Sequence, residues 1–332
     1  MDLIQLGHGS GGRMMHQLIK DYFVPAFDLK TLNDSAVIDN EFRGKIAVTT
    51  DSYVISPLFF PGGDIGVLAV CGTVNDLAVS GARPLYLTAG FIIEEGFPLD
   101  DLKNILDSMK RMSAVAGVKI IAGDTKVVDR GKGDGIFINT AGFGTIEEGV
   151  DVSPRNVKPG DTVLISGSIG NHGMAVMAQR NGISFEPQIL SDVAPLNGLV
   201  EVMLKRTQNI RVMRDPTRGG LATTLKEFAV ESGLCIVIEE NTIEVKPGVR
   251  GACELLGLDP LYVANEGILV AIVDKHDAGP LVAEMRRTER GANAAIIGKV
   301  AESPEKTVLL KTEIGGMRIV DMLSGDQLPR IC

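Results

Sequence analysis

Two kinds of residue in this chain are placed where they can do chemistry: carboxylates scattered beside small residues, and a cysteine at the last position. Asp51 closes TTD at 49–51, and Asp34 sits in NDS at 33–35. Asn75 and Asp76 interrupt the apolar run CGTVNDLAV at 71–79, and Asp124 closes GD at 123–124. Hard oxygen donors drawn from several segments suit magnesium shared with substrate phosphates. Taken singly, each Asp reads as readily as a helix or turn cap. Asp76 stands out, because an Asp in so apolar a run is expected to be buried, and buried carboxylates are paired or bind metal. Lys126 follows Asp124 by two residues. It faces the same side if the segment is extended, where a lysine can meet phosphate or move protons. On spacing alone it is an ordinary surface lysine.

Glycine-rich turns form the second constellation. GHGSGGR at 7–13 leads into a helical pattern. Backbone N–H groups at Gly9, Ser10, Gly11 and Gly12, together with the helix start, can cradle phosphate. The stretch also fits GxGxxG. A dinucleotide site, however, needs a strand before the loop and a full βαβ unit after it. Too few residues precede this loop, and 28–40 is not a clear strand. The Walker pattern is absent. RDPTRGG at 214–220 is a second anion-site candidate through Arg214, Asp215 and Thr217, or a helix start capped by Thr217. Glu266, in NEG at 265–267, reads as a base at a strand entrance or as a turn residue.

Cys71, Cys235 and Cys253 lie in apolar surroundings and read as core thiols. Cys332 ends the chain after Pro329-Arg330-Ile331. An exposed cysteine near a cation can be a nucleophile; Arg330 would favour the thiolate and the terminal carboxylate would oppose it. Without CxxC spacing a structural zinc site is not expected, and the pattern suits a reducing compartment, the cytoplasm. The net charge of -9, from 33 basic and 42 acidic residues, argues against nucleic acid as a partner. No signal peptide is visible at the start. The best membrane candidate, 65–82, contains Asn75 and Asp76, so it reads as a buried helix with a polar site near its end.

These groups must be positioned by a chain of 332 residues, 45% hydrophobic, with 39 glycines. That length suggests two domains. Periodicity predicts helices over 12–27, 64–80, 101–116, 172–180, 198–205, 221–231 and 277–287. It predicts strands over 45–50, 85–93, 118–122, 136–146, 162–166, 235–239, 268–273 and 294–300. Asp51 and Asp124 thus follow strands. A turn at 157–161 marks a boundary. The mixture, without a regular βαβ repeat, is α+β (mixed α/β). Residues 321–332 show no sustained period and read as a mobile tail, able to span about 40 Å when extended.

The chain resembles the hydrogenase maturation factors of the HypE family, relatives of aminoimidazole ribonucleotide synthetase, selenophosphate synthetase and thiamine-monophosphate kinase. The resemblance runs over essentially the whole sequence. It rests on GHGSGGR at 7–13, TTDSYVISPLFFPGG at 49–63, CGTVNDLAVSGA at 71–82, GDTKVV at 123–128, RDPTRGG at 214–220, NEG at 265–267 and, most specifically, PRIC at 329–332. The pattern is kept at all these positions.

The resemblance implies a two-domain aminoimidazole ribonucleotide synthetase-like fold. Residues 1–156 would be an N-terminal ATP/Mg-binding and dimerisation domain, 157–320 a C-terminal α/β domain, and 321–332 the tail. It implies a carbamoyl dehydratase. A carbamoyltransferase, HypF, would load Cys332, and ATP with Mg2+ would drive dehydration to a thiocyanate. The cyano group would pass to iron on a HypC–HypD scaffold, for a NiFe hydrogenase centre. Asp51, Asp76 and Asp124 would hold magnesium. Gly9, Ser10, Gly11, Gly12, Asp34, Asn75, Thr125, Arg214, Asp215 and Thr217 would bind nucleotide. Lys126 and Glu266 would orient the thiocarboxamide and take its protons, either being the base. A homodimer paired through N-terminal sheets is expected. The rivals are a small-molecule enzyme of the same superfamily, which has no need of Cys332, and a non-catalytic thiol carrier, which has no need of the acidic cluster.

Overall fold

The structure is a computed structural model and describes residues 3–9, 13–29, 44–322, 328 and 331–332. The first half opens with α1 (Arg13–Leu18), a π-helical turn (Ile19–Phe23) and α2 (Val24–Phe27). Then come β1 (Lys45–Tyr53), β2 (Phe59–Phe60), β3 (Gly63–Asp64), α3 (Ile65–Val79), β4 (Ala82–Glu94), α4 (Leu99–Ala116), β5 (Lys119–Val128) and β6 (Ile136–Ile146). The second half holds β7 (Thr162–Ile165), α5 (Asn171–Arg180), α6 (Asn197–Arg206), β8 (Ile210–Arg214), α7 (Gly220–Ser232), β9 (Cys235–Glu239) and α8 (Pro247–Leu256). It ends with β10 (Val270–Val273), α9 (Lys275–Met285), β11 (Ala295–Ala301), β12 (Thr307–Lys311) and β13 (Met317–Val320). Among the described residues the architecture is α+β, with one main sheet per half.

The N-terminal sheet runs β1-β6-β4-β5, antiparallel except for the parallel β4–β5 pair that α4 connects. Strand alternation gives it two unlike faces. Tyr53, Leu87, Ala89, Phe91 and Ile138 point inward and are buried. Ile46, Val48, Ile92 and Phe143 point outward and stay exposed.

Against the inner face lies α3. Its N-cap Asp64 accepts hydrogen bonds from the Gly66 and Val67 N–H groups at 2.7 and 3.0 Å, satisfying two donors that the helix start leaves free. Of its fifteen residues only Asp76 is not fully buried. A helix apolar all round must be covered on every side, and the second half supplies the cover. Ala78 and Val79 share an apolar cluster with Leu164, Leu196, Leu199 and Val200.

The seven-stranded sheet of the second half is ordered β13-β12-β9-β11-β7-β10-β8. Its parallel pair is β12–β9.

Several boundaries differ from the sequence reading. Asp51 and Asp124 lie inside β1 and β5 rather than after strands, because each strand continues into paired residues: Ser52↔Asn139 in one case, Lys126↔Ile92 in the other. β8, α8, β12 and β13 escaped the periodicity. Among the tail's described residues, Leu328 and Ile331 are buried in the apolar cluster that joins the two halves.

Candidate active site

The site lies where α3, β1 and three loops of the second half meet. Asp51 and Tyr53 project from the inner face of β1, and Asp76 faces them from α3. Thr49 Oγ1 donates to Asp76 Oδ2 at 3.0 Å. The RDPTRGG loop enters from the end of β8 and places Asp215 in the interior. Two consecutive glycines there have positive φ, 76° at Gly219 and 61° at Gly220. A Cβ at Gly220 would meet the Leu261 and Val263 carbonyl oxygens at 2.6 and 2.7 Å, so only glycine lets the loop approach its neighbour this closely.

That neighbour carries the NEG motif. Asn265 holds it in place by donating through Nδ2 to the Pro216 and Val263 carbonyls, at 2.9 and 3.0 Å. Its Oδ1 accepts from Gly170 N–H at 2.6 Å. Glu266 beside it is 2% exposed, and its Oε1 has no hydrogen-bond partner. Asp192 Oδ2 accepts from the Glu266 and Gly267 N–H groups, at 3.0 and 2.8 Å, fixing the loop backbone.

Carboxylates crowd this space. Burial first, then the charges of Asp215, Asp192, Asp51 and Asp76, push Glu266 well above the ordinary carboxylate range. Burial, and then Asp76, raise Asp215 to about 7. Asp76 is raised by burial and by Asp51, against the Thr49 hydrogen bond and Arg214. Arg214 itself is paired with Glu227.

The chain's end reaches the same place. A terminal carboxylate oxygen of Cys332 accepts from Val54 N–H at 3.2 Å. The Cys332 thiol is pushed up to about 12, by burial first and then by Glu266, while Arg218 opposes and hydrogen-bonds it. The cation beside the thiol is therefore Arg218, which the sequence reading did not assign; Arg330 lies outside the described residues. Cys71, Cys235 and Cys253 are buried, as core thiols should be.

Other expected site residues lie elsewhere. Asp124 and Lys126 share a face, with Lys126 Nζ 3.1 Å from Asp124 Oδ1. That face is the outer one: Lys126 is paired in register with exposed Ile92. One chain thus holds Asp51 and Asp76 on the inner side of its sheet and Asp124 on the outer side. Among the described residues no three His, Cys, Asp or Glu side chains are gathered as a metal cage. Thr125 points inward, buried beside Phe91, away from Asp124 and Lys126.

Asn75 is occupied by protein backbone. Its Nδ2 donates to the Ala194 and Glu266 carbonyls, at 3.1 and 3.2 Å, and its Oδ1 accepts from Leu196 N–H at 2.8 Å. It ties the halves together and positions Glu266, so its amide is committed before any nucleotide arrives. Gly9 packs against β5, where a Cβ would lie 2.6 Å from Val127 N; this brings the glycine-rich start beside Lys126. Arg214 and Thr217 sit half-buried on the second-half loop. Ser10, Gly11, Gly12 and Asp34 lie outside the described residues. Sequence reasoning missed His172, Ser191, Asp192 and Arg218. No spacing marked them, since their partners are backbone groups or residues far off in the chain.

Two α+β halves, with buried carboxylates where they meet, define the class. The description "AIR synthase related protein, N-terminal domain" matches residues 32–146, and "AIR synthase related protein, C-terminal domain" matches 158–311. A carbamoyl dehydratase HypE from Bradyrhizobium diazoefficiens is 55% identical over 333 residues, covering 99% of this chain and 96% of its own. The crystal structure of hydrogenase maturation protein HypE in complex with ATP has a TM-score of 0.95 to this fold at 47% identity, covering 99% of each chain. HypE in a HypE–HypF complex has a TM-score of 0.81 at 49% identity, covering 94% of this chain and 100% of its own. This chain belongs to the HypE family of carbamoyl dehydratases. Among its described residues no helix is long and apolar enough to cross a membrane.

Proposed function

We propose that this chain uses ATP to dehydrate a carbamoyl group carried on its own Cys332, turning an S-carboxamide into a thiocyanate that supplies cyanide for the iron of a NiFe hydrogenase. The observation that carries the reading is the chain's own terminal thiol lying beside Glu266 and Arg218, near the buried carboxylates where the halves meet. HypF loads the thiol, and the HypC–HypD scaffold receives the cyano group, in the cytoplasm.

An amide oxygen is a poor leaving group and must be activated. The carboxamide oxygen takes the γ-phosphoryl group: a C–O–P link forms, the P–O bond to ADP breaks and one N–H proton leaves. The C–O bond then breaks, phosphate departs, and loss of the second N–H proton completes the C≡N triple bond. Glu266 takes these protons. Burial and the neighbouring carboxylates raise its proton affinity above that of an exposed carboxylate, in the direction that suits a proton acceptor. Arg218 offsets negative charge at the sulfur end, and the buried surroundings keep water from the activated group.

ATP sits with Gly9, Ser10, Gly11, Gly12, Asp34, Arg214, Asp215 and Thr217 around it. Asp51 and Asp76 fit magnesium, being hard oxygen donors whose mutual repulsion a divalent cation relieves. When bound, magnesium neutralises charge developing on the phosphates.

Residues 1–156 are the ATP-binding and dimerisation half, 157–320 the C-terminal half and 321–332 the substrate-carrying tail. The exposed apolar face of Ile46, Val48, Ile92 and Phe143 pairs with the same face of a second copy. This homodimer encloses Asp124 and Lys126 in its interface, so the third metal carboxylate and the lysine come from the partner copy.

The test is mass spectrometry of the C-terminal peptide after incubation with HypF, carbamoyl phosphate and Mg-ATP, beside Asp76→Asn and Glu266→Gln. Carbamoylated Cys332 that loses one water only with ATP and both carboxylates intact is the expected result. A Cys332 that is never modified returns the protein to small-molecule ATP chemistry. Carbamoylation without water loss makes it a carrier.

A further inference from the structure

His172 stands in the first turn of α5 at zero exposure. Its ring meets Phe60 edge-on, with centroids 5.4 Å apart and an interplanar angle of 86°. Nδ1 is 2.8 Å from Ser191 Oγ, and Nε2 is 2.8 Å from the Ile331 carbonyl oxygen. A carbonyl only accepts, so Nε2 carries a proton and donates it. In the neutral ring that burial favours, Nδ1 accepts from the Ser191 hydroxyl. The Ile331 carbonyl thus selects the tautomer, and the Ser191 hydroxyl satisfies the ring's other nitrogen.

Around this bond the last residues are gripped on three sides. The Ile331 side chain is 2% exposed, in the apolar cluster that includes Met174, Val249 and Val263. Leu328 Cδ1 would lie 3.3 Å from a Cβ at Gly173, so the glycine after His172 leaves the room that Leu328 fills. One residue past the histidine's contact, Val54 N–H donates to a terminal carboxylate oxygen of Cys332. The Ile331 carbonyl and the Cys332 terminal carboxylate are therefore held by opposite walls, one from each half of the molecule. A residue fixed at its own carboxylate and at the preceding carbonyl has little freedom left in the direction of its side chain.

We propose that His172 is a positioning residue for the reaction: its Nε2–H grips the Ile331 carbonyl and aims the Cys332 side chain at Glu266 and Arg218. This rests on the reading of Cys332 as the carrier of the reacting group. A histidine serving only the core would leave the tail where it is when replaced by a side chain that keeps the fold.

Alkylation of the thiol reads docking directly. Cys71, Cys235 and Cys253 are buried, so iodoacetamide labels Cys332 selectively in the folded protein. At fixed pH, His172→Ala is expected to label at Cys332 about tenfold faster than wild type, as for one lost hydrogen bond to a buried carbonyl. His172→Gln, whose amide donates from a similar position, is expected to return most of the protection. In single-turnover assays of the carbamoylated protein, the rate of water loss falls in the Ala variant and recovers in the Gln variant, with the KM for ATP unchanged. An Ala variant that melts like wild type and labels at the wild-type rate overturns the assignment. Should His172→Ala not fold, His172→Asn serves: its shorter amide can keep the Nδ1-side contact to Ser191 but cannot reach the Ile331 carbonyl, and faster labelling is expected, whereas an unchanged rate overturns the assignment. If wild-type carbamoyl-Cys332 never loses water, the proposed function falls while the labelling comparison still decides the role of His172.

Discussion

At the scale of single residues the molecule keeps its terminal thiol quiet. Burial and Glu266 push the Cys332 thiol up to about 12, against about 8.5 for a free cysteine. The sign follows from linkage: docking favours the protonated thiol, so the docked tail is fully stable below the free value and loses stability as pH rises from there toward 12. Labelling of Cys332 is therefore expected to keep accelerating well past pH 9, with the midpoint lowered in Glu266→Gln. A plateau near the free-thiol value, measured on the C-terminal peptide, would contradict this. The acidic residues and the cysteine were readable from the sequence because their types are costly where they stand: an Asp in an apolar helix, a thiol on a polar tail. His172 and Asp192 were not readable. Their partners, Ile331 and the Glu266 loop, lie 159 and about 75 residues away, and the contacts are to backbone, which leaves no mark on sequence.

Among the elements, α3 decides the most. It is buried on every side, and Asn75 makes three hydrogen bonds to the backbone of the other half. Asn75→Ala strands those groups in the interior and is expected to cost about 2–4 kcal/mol, the range for several buried polar groups left unpaired. Calorimetry would read this as a lower Tm. The water-loss rate should fall as well, because the Glu266 carbonyl loses its anchor; a variant with wild-type Tm and rate would show that Asn75 does not join the halves. The helix itself was plain in the sequence, since thirteen of its fifteen residues are apolar or small, which admits little else. The course of β5 was not, because Gly123 and Asp124 look like a strand's end, and only pairing with β4 carries the strand on to Val128. α8 was masked by Pro247 and its glycines, although proline at a helix's first position starts helices rather than breaking them. The tail was read as unstructured because it lacks a period. Its docking uses isolated apolar residues and backbone oxygens, which periodicity does not detect.

For the whole molecule, the two faces of the N-terminal sheet divide the expected site, with Asp51 and Asp76 inside and Asp124 and Lys126 outside. Val48→Asp places a charge at the centre of the exposed apolar face and is expected to turn the dimer into monomers in light-scattering chromatography. It should also abolish water loss, while leaving carbamoylation of Cys332 intact. A dimeric Val48→Asp protein would rule out pairing through this sheet. The docked tail has a kinetic consequence of its own. Val54 and His172, which hold the Cys332 carboxylate and the Ile331 carbonyl, belong to the same chain as Cys332. In the proposed reaction the reacting group is therefore tethered to Glu266 and Arg218 of its own chain, and its local concentration there is set by the length of the tail rather than by the amount of protein in solution. Dehydration in the proposed reaction is then first order in the loaded dimer: dilution leaves its rate constant unchanged until the dimer dissociates, and no Michaelis constant exists for the carboxamide. Each chain turns over once, then waits for its own end to be unloaded.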